Sequence, residues 1–275
     1  MISFNYLGHL GQLGNQMFQY AAIRGISEYH GYDYMLPKKN HMNKISLYDC
    51  FDLQNLDKKI QDWSSFTRRS PENPNFDENF LVNCPEETDL FAYFASEKYF
   101  KHAEDLVRKD YKFKQTIIDA ANLYYERMFY HNDVVSLHVR RTDSLNHDII
   151  RSLDLSYYEK SLGCFESFLP VFVFSDDIEW CKSQKLFSGP RFKFSEENTN
   201  FVDMCLMSMC KYHIIANSSF SWWGAWLAKS KKVIAPKEWY SKKYLEDFTY
   251  SGYFPYPRDA EWSSKDICPE EWILV

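Results

Sequence analysis

The sequence predicts an α/β protein whose C-terminal half is built on a parallel sheet. Short β-branched or aromatic runs at 133–139, 171–175, 191–194, 213–216 and 232–236 alternate with helical stretches at about 156–167, 177–186, 200–211 and 219–229. Strands alternating with helices form right-handed βαβ units and a parallel sheet. Three of those strands also end in polar clusters. In one parallel sheet all three fall on the same edge, where open α/β folds hold their ligands.

A chain of 275 residues is long enough for two modest α/β lobes. Its net charge of −6, without any Lys/Arg-rich run, argues against a nucleic-acid partner. Aromatic residues make up 18% of the chain, which suits a large core and equally a sugar-facing cleft. The seven cysteines are odd in number and lack Cys-x-x-Cys spacing, so packed, reduced thiols are expected rather than a disulfide framework or a zinc site. The N-terminus has no basic region followed by an apolar one. Nowhere does a charge-free apolar run reach about eighteen residues. A soluble, cytoplasmic-type protein without a membrane span is expected.

In the N-terminal half, residues 2–7 read as a strand and Gly8 to Gly14 as a glycine-punctuated turn. A helix follows from about Asn15 to Tyr29. Residues 37–90 are the least regular, with a loop at Pro71-Glu-Asn-Pro-Asn-Phe-Asp77. Two further helices are expected at 96–109 and 113–129. The boundary between lobes falls near residue 130, giving 1–130 and 131–275.

The three strand ends carry the candidate site. In Val134-Val-Ser-Leu-His-Val-Arg-Arg-Thr-Asp143, period-two alternation puts Ser136, His138 and Arg140 on one face and Val135, Leu137, Val139 and Arg141 on the other. Guanidinium groups there suggest a phosphate or carboxylate, which the planar fork grips bidentately. The same alternation gives the anion to Arg140 and a structural role to Arg141. In Ser175-Asp-Asp177 both carboxylates begin a helix and complement its dipole, and Asp176 suits a nucleotide base or ribose equally well. In Asn217-Ser-Ser-Phe-Ser221, Asn217 or Ser218 is a natural N-cap, and the helix start offers free N–H groups to an anion. That helix is apolar nearly all round, so Trp222, Trp223 and Trp226 are expected in the core, with Gly224 against a close neighbour. The N-terminal glycines, evenly three apart, match neither a dinucleotide fingerprint nor a P-loop. They serve either a close approach to a ligand, presenting Asn15 and Gln16, or simply a tight turn. No metal-ligand cluster is apparent.

These segments together resemble the bacterial and viral α-1,2-fucosyltransferases of glycosyltransferase family 11. The resemblance runs through Gly11-Gln-Leu-Gly-Asn-Gln-Met-Phe-Gln-Tyr-Ala21, Tyr93-Phe-Ala-Ser-Glu-Lys-Tyr-Phe100, His138-Val-Arg-Arg-Thr-Asp143 and Phe174-Ser-Asp-Asp-Ile-Glu-Trp-Cys-Lys182. It continues through Ala216-Asn-Ser-Ser-Phe-Ser-Trp-Trp-Gly-Ala-Trp-Leu227 and Val233-Ile-Ala-Pro-Lys-Glu-Trp239. Such a resemblance implies a GT-B-like pair of Rossmann-like lobes, the N-terminal one facing the acceptor and the C-terminal one binding the GDP-sugar. It implies GDP-β-L-fucose as donor, a galactoside glycan as acceptor, inversion at the anomeric carbon and no metal or other cofactor. By position it assigns Arg140 to the β-phosphate, with His138 beside it and Asp143 supporting the nucleobase or the arginine. Ser218, Ser219 and Phe220, next to Asn217, line the pyrophosphate and base; Asp176 lies near the guanosine and Asn15 faces the fucose. Thr142, Ser144 and Gln12 depart from the family's usual Gly, Tyr, and Gly or Arg. An α-1,6-fucosyl or other GDP-sugar transferase, or a non-catalytic glycan-binding protein on the same fold, are the alternatives.

Overall fold

A computed structural model of the chain describes residues 1–37, 46–53, 65–72, 74–129, 133–141, 152–196, 198–240 and 263–275. The chain divides into two units. Met1–Lys114 and the described part of Asp247–Pro269 form the first; Gln115–Glu246 and Glu270–Val275 form the second.

The first unit contains β1 (Ile2–Ser3), α1 (Leu13–His30), β2 (Tyr34–Met35), α2 (Leu47–Cys50), β3 (Thr67–Arg69), α3 (Glu78–Asn83), β4 (Thr88–Leu90) and α4 (Glu104–Asp110). Its four strands form a parallel sheet in the order β2-β1-β4-β3. The second unit contains α5 (Gln115–Met128), β5 (Val135–Val139), α6 (Leu155–Leu162), β6 (Val171–Ser175), α7 (Ile178–Ser183), β7 (Phe192–Phe194), α8 (Asn200–Met209), β8 (Tyr212–Ile214), α9 (Ser219–Leu227), β9 (Lys232–Ala235) and β10 (Ile273–Leu274). Here a six-stranded parallel sheet runs β10-β9-β8-β5-β6-β7.

Local chemistry explains where the helices of the second unit begin. Asp154 accepts from the Tyr157 amide at α6, Asp177 from Trp180 at α7 and Thr199 from Val202 at α8, each satisfying an amide that the helix cannot. One sheet face buries Val135, Leu137, Val139, Val171, Val173, Ile214 and Ile234 against Tyr157, Tyr158 and Leu162 of α6. On the opposite face Tyr124 and Phe129 lie on Phe172, and α8 packs on α9. The predicted alternation of β5 is therefore observed, with its odd-numbered residues beneath α6.

The chain departs from the sequence expectation mainly in the first unit. Strand 2–7 stops at Ser3, because the Asn5 amide turns to the Asp89 carboxylate at 2.8 Å and the chain coils through Tyr6–His9. The described residues of 37–90 hold four elements of only three to six residues, too short for hydrophobic periodicity to register. Helix 96–109 begins as two 3₁₀ turns, Glu97–Tyr99 and Lys101–Ala103, before α4. The division between units falls at residue 114 rather than near 130, since α5 packs against α8 of the second unit.

Candidate active site

Because β8, β5 and β6 are adjacent and parallel, their carboxyl ends lie side by side. The two consecutive arginines that follow β5 turn to opposite neighbours. Arg140 is half-buried, and its Nη1 reaches 3.5 Å toward the carbonyl oxygen of Asn217 beyond β8. Arg141 goes to the β6 side. Its amide donates to Asp176 Oδ1 at 2.8 Å and its Nε to Asp177 Oδ2 at 3.3 Å, and its guanidinium carbon lies 3.8 Å over the Trp180 ring. A guanidinium held by a carboxylate on its edge and a ring on its face is fixed in place. Arg141 is thus a structural latch, as the alternation indicated.

Asn217 is buried and anchors the β8–α9 junction by donating from Nδ2 to the Trp239 carbonyl oxygen at 3.1 Å. Ser218 occupies the N-cap position with extended backbone, φ −144° and ψ 123°, yet its hydroxyl caps no amide. Ser221 Oγ folds back on the carbonyls of Ala216 and Ser218. The start of α9 therefore keeps its positive dipole end without a side-chain cap, and no acidic residue sits in its first turn. Ser219 and Phe220 are half-buried there, and the Phe220 ring lies 5.9 Å from that of the buried His138. Behind this surface Trp222 and Trp223 are fully buried, and their rings contact each other and Trp226. They are core, as expected. A Cβ at Gly224 would lie 2.7 Å from Met207 Cβ, so α8 and α9 meet at van der Waals distance only because that position is glycine.

The structure thus brings together His138, Arg140, Asn217, Ser218, Ser219 and Phe220. Asp176 is exposed at the end of β6 and accepts the Arg141 amide. Asn15 belongs to the other unit, half-buried in the first turn of α1. Its amide covers Gly11, whose φ of +85° and lack of Cβ permit the approach. Asp143, Thr142 and Ser144 lie outside the described residues. One residue at this edge went unforeseen. Asp203, one turn into α8 beyond β7, accepts from Ser195 Oγ at 2.5 Å, and burial pushes its carboxyl up to about 6. A lone acid inside the apolar run Phe201–Met209 was the available signal. Among the described residues, no three His, Cys, Asp or Glu converge as metal ligands, and no helix is long and apolar enough to cross a membrane.

Comparison with known proteins gives this geometry a context. Residues 3–254 match the model of the family described as Glycosyl transferase family 11. The chain is 32% identical over 303 residues to an alpha-1,2-colitosyltransferase of Escherichia coli, covering 96% of each. It is 22% identical over 260 residues to the galactoside 2-alpha-L-fucosyltransferase SEC1 of Bos taurus, covering 88% of this chain and 66% of that one. In fold it is similar to the NodZ alpha-1,6-fucosyltransferase soaked with GDP-fucose, with a TM-score of 0.52 at 13% identity over 84% of this chain and 93% of that one. With a parallel sheet in each unit, the fold is of the GT-B type.

Proposed function

The chain belongs to glycosyl transferase family 11, and from that premise we propose that it moves L-fucose from GDP-β-L-fucose to the 2-hydroxyl of a galactoside, inverting the donor's anomeric centre. The observation that carries this reading is the meeting of Arg140 with the uncapped start of α9 on one sheet edge. In the transfer, the acceptor oxygen bonds to the anomeric carbon as the bond from that carbon to the β-phosphate oxygen breaks. GDP leaves, and the proton of the acceptor hydroxyl passes to an oxygen of the departing β-phosphate. Negative charge grows on the leaving phosphate, and a guanidinium fork and helix amides already in place stabilise it without reorganisation. They meet that charge without a metal ion. His138 and Phe220 flank Arg140, Ser218 and Ser219 carry the amides at the phosphates, and Asn217 fixes the junction. Asn15 and Asp143 keep the fucose-facing and supporting roles that the family resemblance gives them. A cytoplasmic setting belongs to the same proposal, in keeping with an odd number of cysteines that lack Cys-x-x-Cys spacing.

The alpha-1,2-colitosyltransferase relative favours one second reading, in which the donor sugar is colitose. Colitose lacks a hydroxyl that fucose has. A site built to hydrogen-bond that hydroxyl discriminates strongly against its absence, whereas an apolar pocket does not discriminate well. Incubation with GDP-fucose and with GDP-colitose, a panel of galactosides, and EDTA in parallel tests both readings, with product linkage established by NMR. The expected result is EDTA-insensitive GDP release and an α-1,2-linked fucoside. Arg140→Lys keeps the charge but loses the fork, and turnover should fall about a hundredfold or more. Near-wild-type transfer by that folded variant would refute the assignment.

A further inference from the structure

The first unit carries a second constellation, on one face of its own sheet beside the carboxyl end of β1. Ser3, Asp89 and Arg68 are paired in register across β1, β4 and β3, so their side chains share one face. Asp89 is buried. Its Oδ1 accepts from Ser3 Oγ at 3.0 Å and from the Asn5 amide at 2.8 Å, and its Oδ2 lies 3.8 Å from Arg68 Nε. The Asn5 contact ends β1 and starts the turn that folds Tyr6 over the sheet edge, with Gly8 at φ 89°. The Arg68 guanidinium carbon then sits 4.2 Å from the centre of the Tyr6 ring and 4.9 Å from that of Phe91. The His9 ring lies 5.4 Å from Tyr6 and is exposed, while the Arg68 side chain remains 42% exposed.

We propose that Tyr6, His9 and Arg68, held by Asp89, form a binding subsite for a neutral hexopyranose of the acceptor. Three features specify that chemistry. Asp89 cancels the charge of Arg68, so the pair has no net attraction for a phosphate or carboxylate. Rings against the guanidinium leave its in-plane N–H groups as its hydrogen-bond donors, the geometry that serves sugar hydroxyls. His9 and Tyr6 supply aromatic surface for the C–H face of a pyranose. Tyr6 and His9 follow the carboxyl end of β1, and beyond such ends open sheets receive ligands.

This subsite rests on the transferase reading, and the test separates the two. Acceptor KM is measured on the full chain with lactose, N-acetyllactosamine and methyl β-galactoside, and GDP affinity by calorimetry. Arg68→Lys retains the charge beside Asp89 but not the planar fork. It should raise acceptor KM about tenfold while leaving GDP affinity unchanged. His9→Ala, at an exposed position that cannot unfold the chain, should raise it about threefold. A purely structural cluster would shift melting temperature without that selective rise. If both variants keep wild-type acceptor KM, the subsite is overturned while the transferase stands. If the wild-type chain releases no GDP with any galactoside, the transferase reading falls first and the subsite with it.

Discussion

Two groups in the second unit, the half-buried Asp203 and the fully buried His213, should give folding stability opposite pH dependences, and separating them tests how that unit is packed. Burial pushes the Asp203 carboxyl up to about 6, against about 3.9 in an unfolded chain. Between those values the unfolded chain has lost a proton that the folded chain keeps, so stability falls as pH rises through the window. A gap of about two pH units, at about 1.4 kcal/mol each, makes this roughly 3 kcal/mol. His213 behaves in the reverse sense. Fully buried in β8, with its Nε2–H donating to the Met207 carbonyl at 2.9 Å, it is held down to about 4 by desolvation. An unfolded histidine titrates near about 6.5. Between about 4 and 6.5 the unfolded chain binds a proton that the folded chain refuses, and stability rises with pH by roughly 3 kcal/mol. In the wild-type chain the two slopes nearly cancel below about pH 6. Asp203→Asn keeps an acceptor for Ser195 and removes one slope, so its stability relative to wild type should climb by about 3 kcal/mol from pH 4 to 7. His213→Gln keeps a donor for Met207 and should show a relative fall of similar size. Urea unfolding followed by tryptophan fluorescence reads this unit, because Trp222, Trp223 and Trp226 lie in its core. Parallel pH profiles for the three proteins would refute the assignment of these groups to a desolvated interior.

Three further outcomes follow from single contacts. Asp176→Asn can still accept the Arg141 amide and should hold kcat within about threefold, whereas Asp176→Ala breaks the latch and should cost about tenfold or more; equal loss of GDP affinity in both would show that the carboxylate reads the nucleotide instead. Gly224→Ala gains about 1 kcal/mol of helix propensity but drives a Cβ to 2.7 Å from Met207 Cβ. Overpacking costs about 1–3 kcal/mol, so a melting point lower by a few degrees is expected, and a higher one would overturn the close-packing account. Arg141→Ala should lower kcat while leaving acceptor KM near wild type, which steady-state kinetics on the folded variant checks.

The second unit was legible because β5 and β6 are long enough to show a period and, with β8, end abruptly in polar residues. Strand 171–175 falls where the sequence placed it, and the boundaries of β5, β7 and β9 shift by at most two residues. Trp222 and Trp223 could be assigned to the core because α9 is apolar on every side. The first unit was not legible in this way. Elements such as β3 and β4 have three residues each and are defined by pairing with one another, Arg68 opposite Asp89, rather than by any local pattern. Asp203 was missed for a related reason. One acid in an apolar helix is ordinarily read as a surface residue, and only the fold shows Ser195 arriving beside it. β10 escaped because two residues from the chain's end pair with β9 across an interval of about forty positions.

The division of labour between the two arginines follows from strand geometry together with the partners beyond each strand end. Successive side chains on an extended chain point to opposite faces of the sheet, which separates the two guanidiniums, and their partners beyond the strand end then decide which neighbour each one meets. Arg141 becomes a latch because β6 ends in two aspartates and a tryptophan one turn later. That fastens the backbone at the residue after Arg140, which leaves Arg140 to reach the β8 side and the start of α9. Inserting or deleting one residue within β5 would turn both side chains to the opposite faces, taking Arg141 from its carboxylates and Arg140 from the start of α9. The chemistry proposed for this edge therefore depends on the parity of β5 as much as on the identity of its arginines.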